Sequence, residues 1–274
     1  ESRRGERTRE RKGGSSVASL HQILADECQQ LNEAFNHWIV HRTPFVTVKA
    51  AMTLDGKIAT AAGESKWITS GKARAYAMKL RQGADAILVG VNTVLADNPS
   101  LTLRPFRSSK FKVQGSRLRR IILDSMARTP FDAKVVTDEH AVLTTIVVSK
   151  LAPKSRVAAL AKCANVMIAP DTKAVSRVPH PASRIDLRWL LERLGAENVT
   201  SLLVEGGGDV NASFLLNGLA HRVAFFYAPK IIGGRDARKA VAGDGVARVA
   251  DAIKLHDVEW RRVGPDLLLT ARVE

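Results

Sequence analysis

The chain has 274 residues, of which 45% are hydrophobic and 25% charged, and a formal net charge of +15. That balance is ordinary for a globular protein large enough to bury a substantial core. No apolar run approaches the ~20 residues that a membrane span needs, and two cysteines outside any CxxC pair exclude a disulfide framework or a zinc cluster.

Residues 1–16 hold six basic and three acidic side chains and no apolar core residue, leaving about +12 on the remainder. They are expected to form a disordered basic arm. Elsewhere Arg and Lys occur singly or in pairs such as Arg119-Arg120, without the interleaved aromatics that nucleic-acid binding would want. A dispersed basic charge also suits phosphorylated small molecules. No charged-then-apolar leader opens the chain, so a cytoplasmic location is expected, and the initial Glu suggests a piece of something longer.

From Val17 to His41, Leu20, Ile23, Leu24, Cys28, Leu31, Phe35 and Trp38 recur at helical spacing, which predicts an amphipathic connecting helix over 17–43 that Pro44 ends. Strands are then predicted at 45–52, 86–90, 119–124, 145–149, 165–168, 201–204 and 223–227. Helices are predicted at 71–82, 153–162, 186–194 and 211–219, with Cys28 and Cys163 each inside a helix. Val/Ile/Leu-rich strands alternating with helices predict a mostly parallel central sheet with helices on both faces. The end, 255–263 and 267–273 around Gly264-Pro265-Asp266, reads as an antiparallel hairpin. Residues 44–274 therefore read as one α/β domain.

Chemistry concentrates where strands end, which is where ligands sit in open α/β sheets. The strand from Phe45 runs into Leu54-Asp55-Gly56-Lys57, followed by the polar loop Gly63-Glu64-Ser65-Lys66-Trp67. The strand from Ala86 runs into Gly90-Val91-Asn92-Thr93 and a polar ribbon, Asp97-Asn98-Pro99-Ser100. Leu202 to Asp209 is a buried strand that ends in Glu205 and three glycines, a turn suited to crowding backbone N–H groups on an anion or simply to a tight connection. It is neither a GxGxxG fingerprint nor a P-loop. Arg81 and Arg104 flank the same strand ends and offer phosphate-shaped forks, or plain helix-end compensation. Asp55, Lys57 and Asp97 are the titratable groups nearest those ends. Asp55-Gly56 also fits a plain turn, and Trp67 fits core cover better than ring stacking. The seven histidines form no HxH or HExxH pair, so no metal site is expected.

With these residues assembled, the chain resembles the reductase domain of the riboflavin-biosynthesis deaminase-reductase, in the dihydrofolate-reductase-like superfamily. PFVTVKAAMTLDGKIA, GESKWITS, LRQGADAILVGVNTVLADNPSLTLR, LLVEGGG and APKIIGG carry the resemblance, in that order. It implies NADPH-dependent reduction of a 5-amino-6-(phosphoribosylamino)uracil to its ribityl counterpart. It implies that Ser65, Arg81, Leu101, Arg104 and Glu205 face the phosphoribosylamino-pyrimidine. Ala51, Trp67, Thr93, Asp97, Ser125 and the run Gly207, Gly208, Asp209, Val210, Asn211, Ala212 and Ser213 would face NADPH. Lys57 and Asp97 would handle the proton, and either Ser125 with Arg128 or Ser149 with Lys150 the cofactor's 2′-phosphate.

The resemblance further implies a homodimer. The HxE and PCxxC motifs of the family's zinc deaminase are missing, so the deaminase reaction is not assigned to these residues; the deaminase was removed, never existed, or resides on a domain or subunit not in this chain. Two alternatives keep other chemistries open: a reductase of a pterin or other phosphorylated heterocycle, and a non-catalytic partner or nucleic-acid-binding protein.

Overall fold

A computed structural model describes Cys28 and residues 31–103, 118–170 and 185–274. The basic arm, most of the upstream helix and Arg104 lie outside the described residues. In chain order the elements are α1 (Glu33–His41), β1 (Phe45–Thr53), β2 (Lys57–Ala59), α2 (Gly71–Gln82), β3 (Ala86–Gly90), α3 (Val91–Asp97), β4 (Arg119–Leu123), α4 (Lys134–Thr137) and β5 (Thr144–Ser149). They continue with α5 (Lys154–Leu160), β6 (Asn165–Ala169), α6 (Leu187–Ala196), β7 (Ser201–Val204), α7 (Gly208–Leu216), β8 (Arg222–Ala228), β9 (Arg238–Lys239), β10 (Leu255–Val263) and β11 (Asp266–Val273).

Nine strands form one sheet in the order β10-β11-β8-β1-β7-β3-β4-β5-β6, and β2 pairs β9 separately. Pairing is parallel from β8 through β6 and antiparallel only for the β10–β11 hairpin and its junction with β8. This is the α/β arrangement expected from the alternation of elements. All five residues of β3 are buried because its two faces serve two cores. Ala86 and Leu88 pack with α6 and α7 through Leu190, Leu194, Val210 and Phe214. Ile87 and Val89 pack on the other face with Val91, Val94, Val135 and Leu160. Placing β7 between β1 and β3 reverses the winding, which opens a crevice at the carboxyl ends of those strands.

Three local expectations are corrected. Residues 91–97 of the connection after β3 are helical, because Val91 and Val94 bury one turn against the core. Helix α7 starts at Gly208 rather than 211, directly from the glycine run. Cys163 lies in a turn after α5, and Cys28 and Cys163 are both free and exposed. Helix α1 also departs from its periodicity: its buried residue is Glu33, ion-paired with Arg222 of β8 and Arg272 of β11, while Leu31 and Phe35 are exposed.

The start of β1 is fastened by His221. Its backbone N–H donates to the Val46 carbonyl and its ring Nδ1 accepts the Val46 N–H, both at 2.9 Å, while the ring stacks on Phe45 and meets the His37 ring at a tilt. Burial, with His37 and His41 close by, pushes His221 down to about 4, and His37 is lowered too. A folded pKa below the unfolded value of 6.5 makes the unfolded chain bind more protons between those limits, so this stability is full above pH 6.5 and lost as pH falls towards 4. Urea unfolding should show a loss of about 2 kcal/mol between pH 7.5 and pH 5. His221→Asn, which keeps an acceptor but does not titrate, should flatten that dependence, and a wild-type midpoint unchanged over this interval would contradict the account.

Candidate active site

Glu205 follows β7 at the crevice, its N–H bonded to the Leu88 carbonyl of β3 at 2.9 Å. Its carboxylate takes a two-pronged bond from Arg81 of α2, Nε to Oε1 at 2.8 Å and Nη2 to Oε2 at 2.9 Å. Lys49 Nζ of β1 stands 3.7 Å from Oε2. Burial by itself would raise the Glu205 pKa, but Lys49 and Arg81 outweigh it and hold the carboxyl at about 2. All three side chains are largely buried, so this is a fixed charge cluster rather than a surface pair. The remaining arm of Arg81 points at the Thr102 carbonyl, 3.5 Å away.

Beside the cluster, the glycines are required for different reasons. A Cβ on Gly206 would stand 2.5 Å from Val210, and one on Gly208 would stand 2.3 Å from the Lys239 carbonyl oxygen. Gly207, which caps α7 without a side-chain hydrogen bond, would meet nothing within 4 Å. Two of the glycines are thus demanded by packing, and the third leaves open space at a helix N-terminus, a place suited to an anion. Asn211 is buried, with Nδ2 donating to the Ala240 carbonyl at 2.8 Å and Oδ1 without a partner. Ala212 is fully buried, and Val210 and Ser213 nearly so, with the Ser213 hydroxyl bonded to the Asp209 carbonyl. From this run, Gly207, Gly208 and Asp209 are partly exposed at the start of α7, while Val210 to Ser213 are buried behind them.

Strand β9 ties this turn to the first strand end. Lys57 pairs with Lys239 in the β2–β9 ladder, Ala240 N–H donates to Gly56, and Ala242 N–H donates to Gly208. Asp55 accepts the Thr53 hydroxyl at 2.6 Å and the N–H groups of Gly233 and Ile232. The Thr53 bond leads in holding it at about 2, which suits an anchor of the 230–234 loop better than a proton donor. Trp67 is 64% exposed, so the expected core role is overturned: its ring lies under the Arg74 guanidinium at 4.4 Å. The loop that carries it is pinned by Lys230 Nζ on the Trp67 carbonyl. Ser65 is half-buried in that loop and Ala51 half-buried against the Ala73–Phe226 cluster.

On the far side of β3, Thr93 is half-buried on α3 and Asp97 is exposed at its end. Leu101 is buried in the core with a left-handed φ of 53°. After β4, buried Asp124 collects the Arg128 and Thr129 N–H groups and the Thr129 hydroxyl. The Ser125 carbonyl in that turn accepts both the Ser149 N–H and hydroxyl, at 3.1 and 2.7 Å. The two candidate pairs for a 2′-phosphate, Ser125 with Arg128 and Ser149 with Lys150, therefore occupy one place. Arg128 also reaches Asn92 Oδ1 on α3 at 2.9 Å.

A model of the RibD C-terminal domain matches residues 44–269. The chain belongs to that family. It is 42% identical over 231 residues to a Methanothermobacter thermautotrophicus protein named 2,5-diamino-6-ribosylamino-4(3H)-pyrimidinone 5′-phosphate reductase, covering 84% of this chain and 99% of that one. It is 38% identical over 257 residues to riboflavin biosynthesis protein RibD of Actinobacillus pleuropneumoniae, spanning 93% of this chain and 64% of the relative. The solved Acinetobacter baumannii RibD structure superposes with a TM-score of 0.75 at 25% identity, over 92% of this chain and 64% of that one.

Sequence reasoning missed Lys49. It sits mid-strand in FVTVKAAM, and the one signal was a charge in an otherwise apolar strand, a position that burial forbids without a partner. A cleft of about 720 Å³ lies at the opposite, amino ends of β1 and β7, lined by residues such as Phe45, Ser201 and Arg222, away from this cluster. Among the described residues no group of three or more His, Cys, Asp or Glu is placed to hold a metal, and no helix is long and apolar enough to cross a membrane.

Proposed function

We propose that the chain is the cytoplasmic pyrimidine reductase of riboflavin biosynthesis, converting 5-amino-6-(5-phospho-D-ribosylamino)uracil to its ribitylamino counterpart with NADPH. The observation that carries this reading is the buried Arg81–Glu205–Lys49 cluster beside the open glycine at Gly207. Glu205, already ionised and held by Arg81, has lone pairs left for sugar hydroxyls, and Arg81 and Arg104 supply positive charge for the 5′-phosphate. Ser65 and the backbone at Leu101 complete the substrate side.

The N-terminus of α7 at Gly207 to Asp209 fits the cofactor's pyrophosphate. Trp67, Ala51, Thr93 and Asp97 border the path from there, and the Ser125–Ser149 bridge with Arg128 and Lys150 lies at the 2′-phosphate end. NADPH supplies the hydride. Opening of the ribosylamine ring gives a C1′=N bond; hydride addition at C1′ leaves the nitrogen to take one proton. Lys49, held in the buried cluster, is the candidate for that step, with Lys57 and Asp97 as the alternative groups. Most of the rate comes from holding the reacting carbon in place and out of water.

The archaeal relative, matched along nearly its whole length, favours a second substrate that keeps the ring's amino group. Loss of NADPH absorbance with each pyrimidine phosphate separates the readings: one should react with far higher kcat/KM, and removal of the 5′-phosphate should weaken both. No turnover of either by folded protein would end the proposal. Deamination is not assigned to these residues.

A homodimer is supported by the outer hairpin face, where Val258, Trp260 and Leu267 are exposed beside Tyr227. Light scattering should give twice the chain mass, and Trp260→Glu should halve it; a wild-type monomer at micromolar concentration would contradict this.

A further inference from the structure

Arg120, on β4, heads the fully buried side chains by volume among the described residues, and it lies outside the Arg81–Glu205 cluster. Its Nη1 donates to the Ser100 carbonyl at 2.8 Å and to Asp138 Oδ2 at 2.7 Å. Its Nη2 donates to the Val135 carbonyl at 3.0 Å and to Asp138 Oδ1 at 2.8 Å. Nε has no partner. Arg120 is buried while Asp138 is partly exposed, and an ion pair that takes an arginine out of water in this way returns little net stability compared with hydrocarbon of the same volume, so what it can supply is location.

What Arg120 locates is the segment 98–103. Asn98, with φ of 40°, is the left-handed cap that ends α3, and Leu101 has φ of 53°, a left-handed conformation that a branched apolar residue holds only when its surroundings enforce it. Asn98 Oδ1 accepts the Lys134 N–H at 2.9 Å, Leu101 is sunk in the core, and the Thr102 carbonyl faces Arg81 Nη1. Arg120 and Arg81 thus meet carbonyls two residues apart in one segment, the first at 2.8 Å and the second at 3.5 Å.

We infer that Arg120 and Asp138 are positioning residues for the phosphorylated sugar. By holding the Ser100 carbonyl they set the segment 98–103 against the Arg81–Glu205 pair, and so set substrate affinity without touching substrate. This rests on the reading that the Arg81–Glu205 end receives the phosphoribosyl group. The N-terminus of α7, where the cofactor's pyrophosphate is placed, is braced separately, by Asn211 on the Ala240 carbonyl and by the Ala242 N–H on Gly208.

The test is steady-state kinetics of the full chain, with substrate and NADPH varied independently, for Arg120→Met and the double variant Arg120→Met/Asp138→Asn. The double variant leaves no unpaired buried charge and keeps the comparison valid if the single variant folds poorly. KM for the pyrimidine phosphate should rise on the order of tenfold in both, as loss of charge-assisted bonds implies, with kcat and KM for NADPH at wild-type values. Arg120→Lys should restore part of the loss. A folded double variant with unchanged substrate KM, or with both KM values raised together, would overturn the inference. A wild-type chain that turns over neither pyrimidine would instead sink the functional reading beneath it.

Discussion

Glu205→Gln is expected to cut kcat/KM by roughly 10²–10³-fold and to destabilise the fold by about 3 kcal/mol. The substitution is isosteric, so nothing collides; what it removes is the negative charge on which Arg81 and Lys49 both depend. Two cations then share a largely buried site without a counterion, which is far costlier than losing a surface pair. Arg81→Lys keeps the charge but cannot make both prongs of the bond to Oε1 and Oε2, and should lose activity with a smaller stability penalty. The decisive measurement is a double-mutant cycle with Arg81→Met. If the two residues act as one unit, the double variant will be little worse than Glu205→Gln alone; losses that simply add would mean two independent contacts. Because the Glu205 carboxyl is held at about 2, its protonation should not shape the kcat/KM profile above pH 4, and its stability contribution should fade only as pH drops from the usual carboxylate range towards 2.

Substitutions in the glycine run should separate packing from ligand binding. Gly208→Ala places a Cβ 2.3 Å from the Lys239 carbonyl oxygen, and backbone cannot step aside cheaply, so unfolding free energy should fall by about 1–3 kcal/mol. Gly207→Ala meets no protein atom within 4 Å and should leave the melting temperature nearly unchanged. If α7 receives the cofactor's pyrophosphate, that methyl group stands where the anion must approach. NADPH affinity, read by fluorescence titration, should then drop tenfold or more. Retention of wild-type affinity by Gly207→Ala would move the cofactor away from this helix end.

The sheet was legible because its signals are local. Runs such as Ala86–Gly90 and Ser201–Val204 are apolar and flanked by breakers, and strands buried on both faces read as continuous hydrophobic stretches. Glu205 was legible for a related reason: an acid at the tip of a buried strand beside bare glycines needs a partner. Which partner it takes was not. Arg81 lies 124 residues away in the chain and Lys49 in a third element, and they meet because β7 inserts between β1 and β3. Trp67 and Leu31 misled because periodicity and size report what an isolated segment would prefer to bury, not what the neighbouring elements leave uncovered.

Hydrophobic period, glycine placement and motif order, properties of the chain by itself, determined the α/β class, the family and the strand ends where chemistry collects. The tertiary structure alone decided which charges are paired and which glycine is free. It seated Lys49 beside Glu205, took Asp55 into a hydrogen-bonded anchor, merged the Ser125 and Ser149 turns, and left Gly207 open between two glycines that packing requires. Charge pairing and steric clearance depend on distances across the sheet, and those distances exist only once long-range strand order has been set.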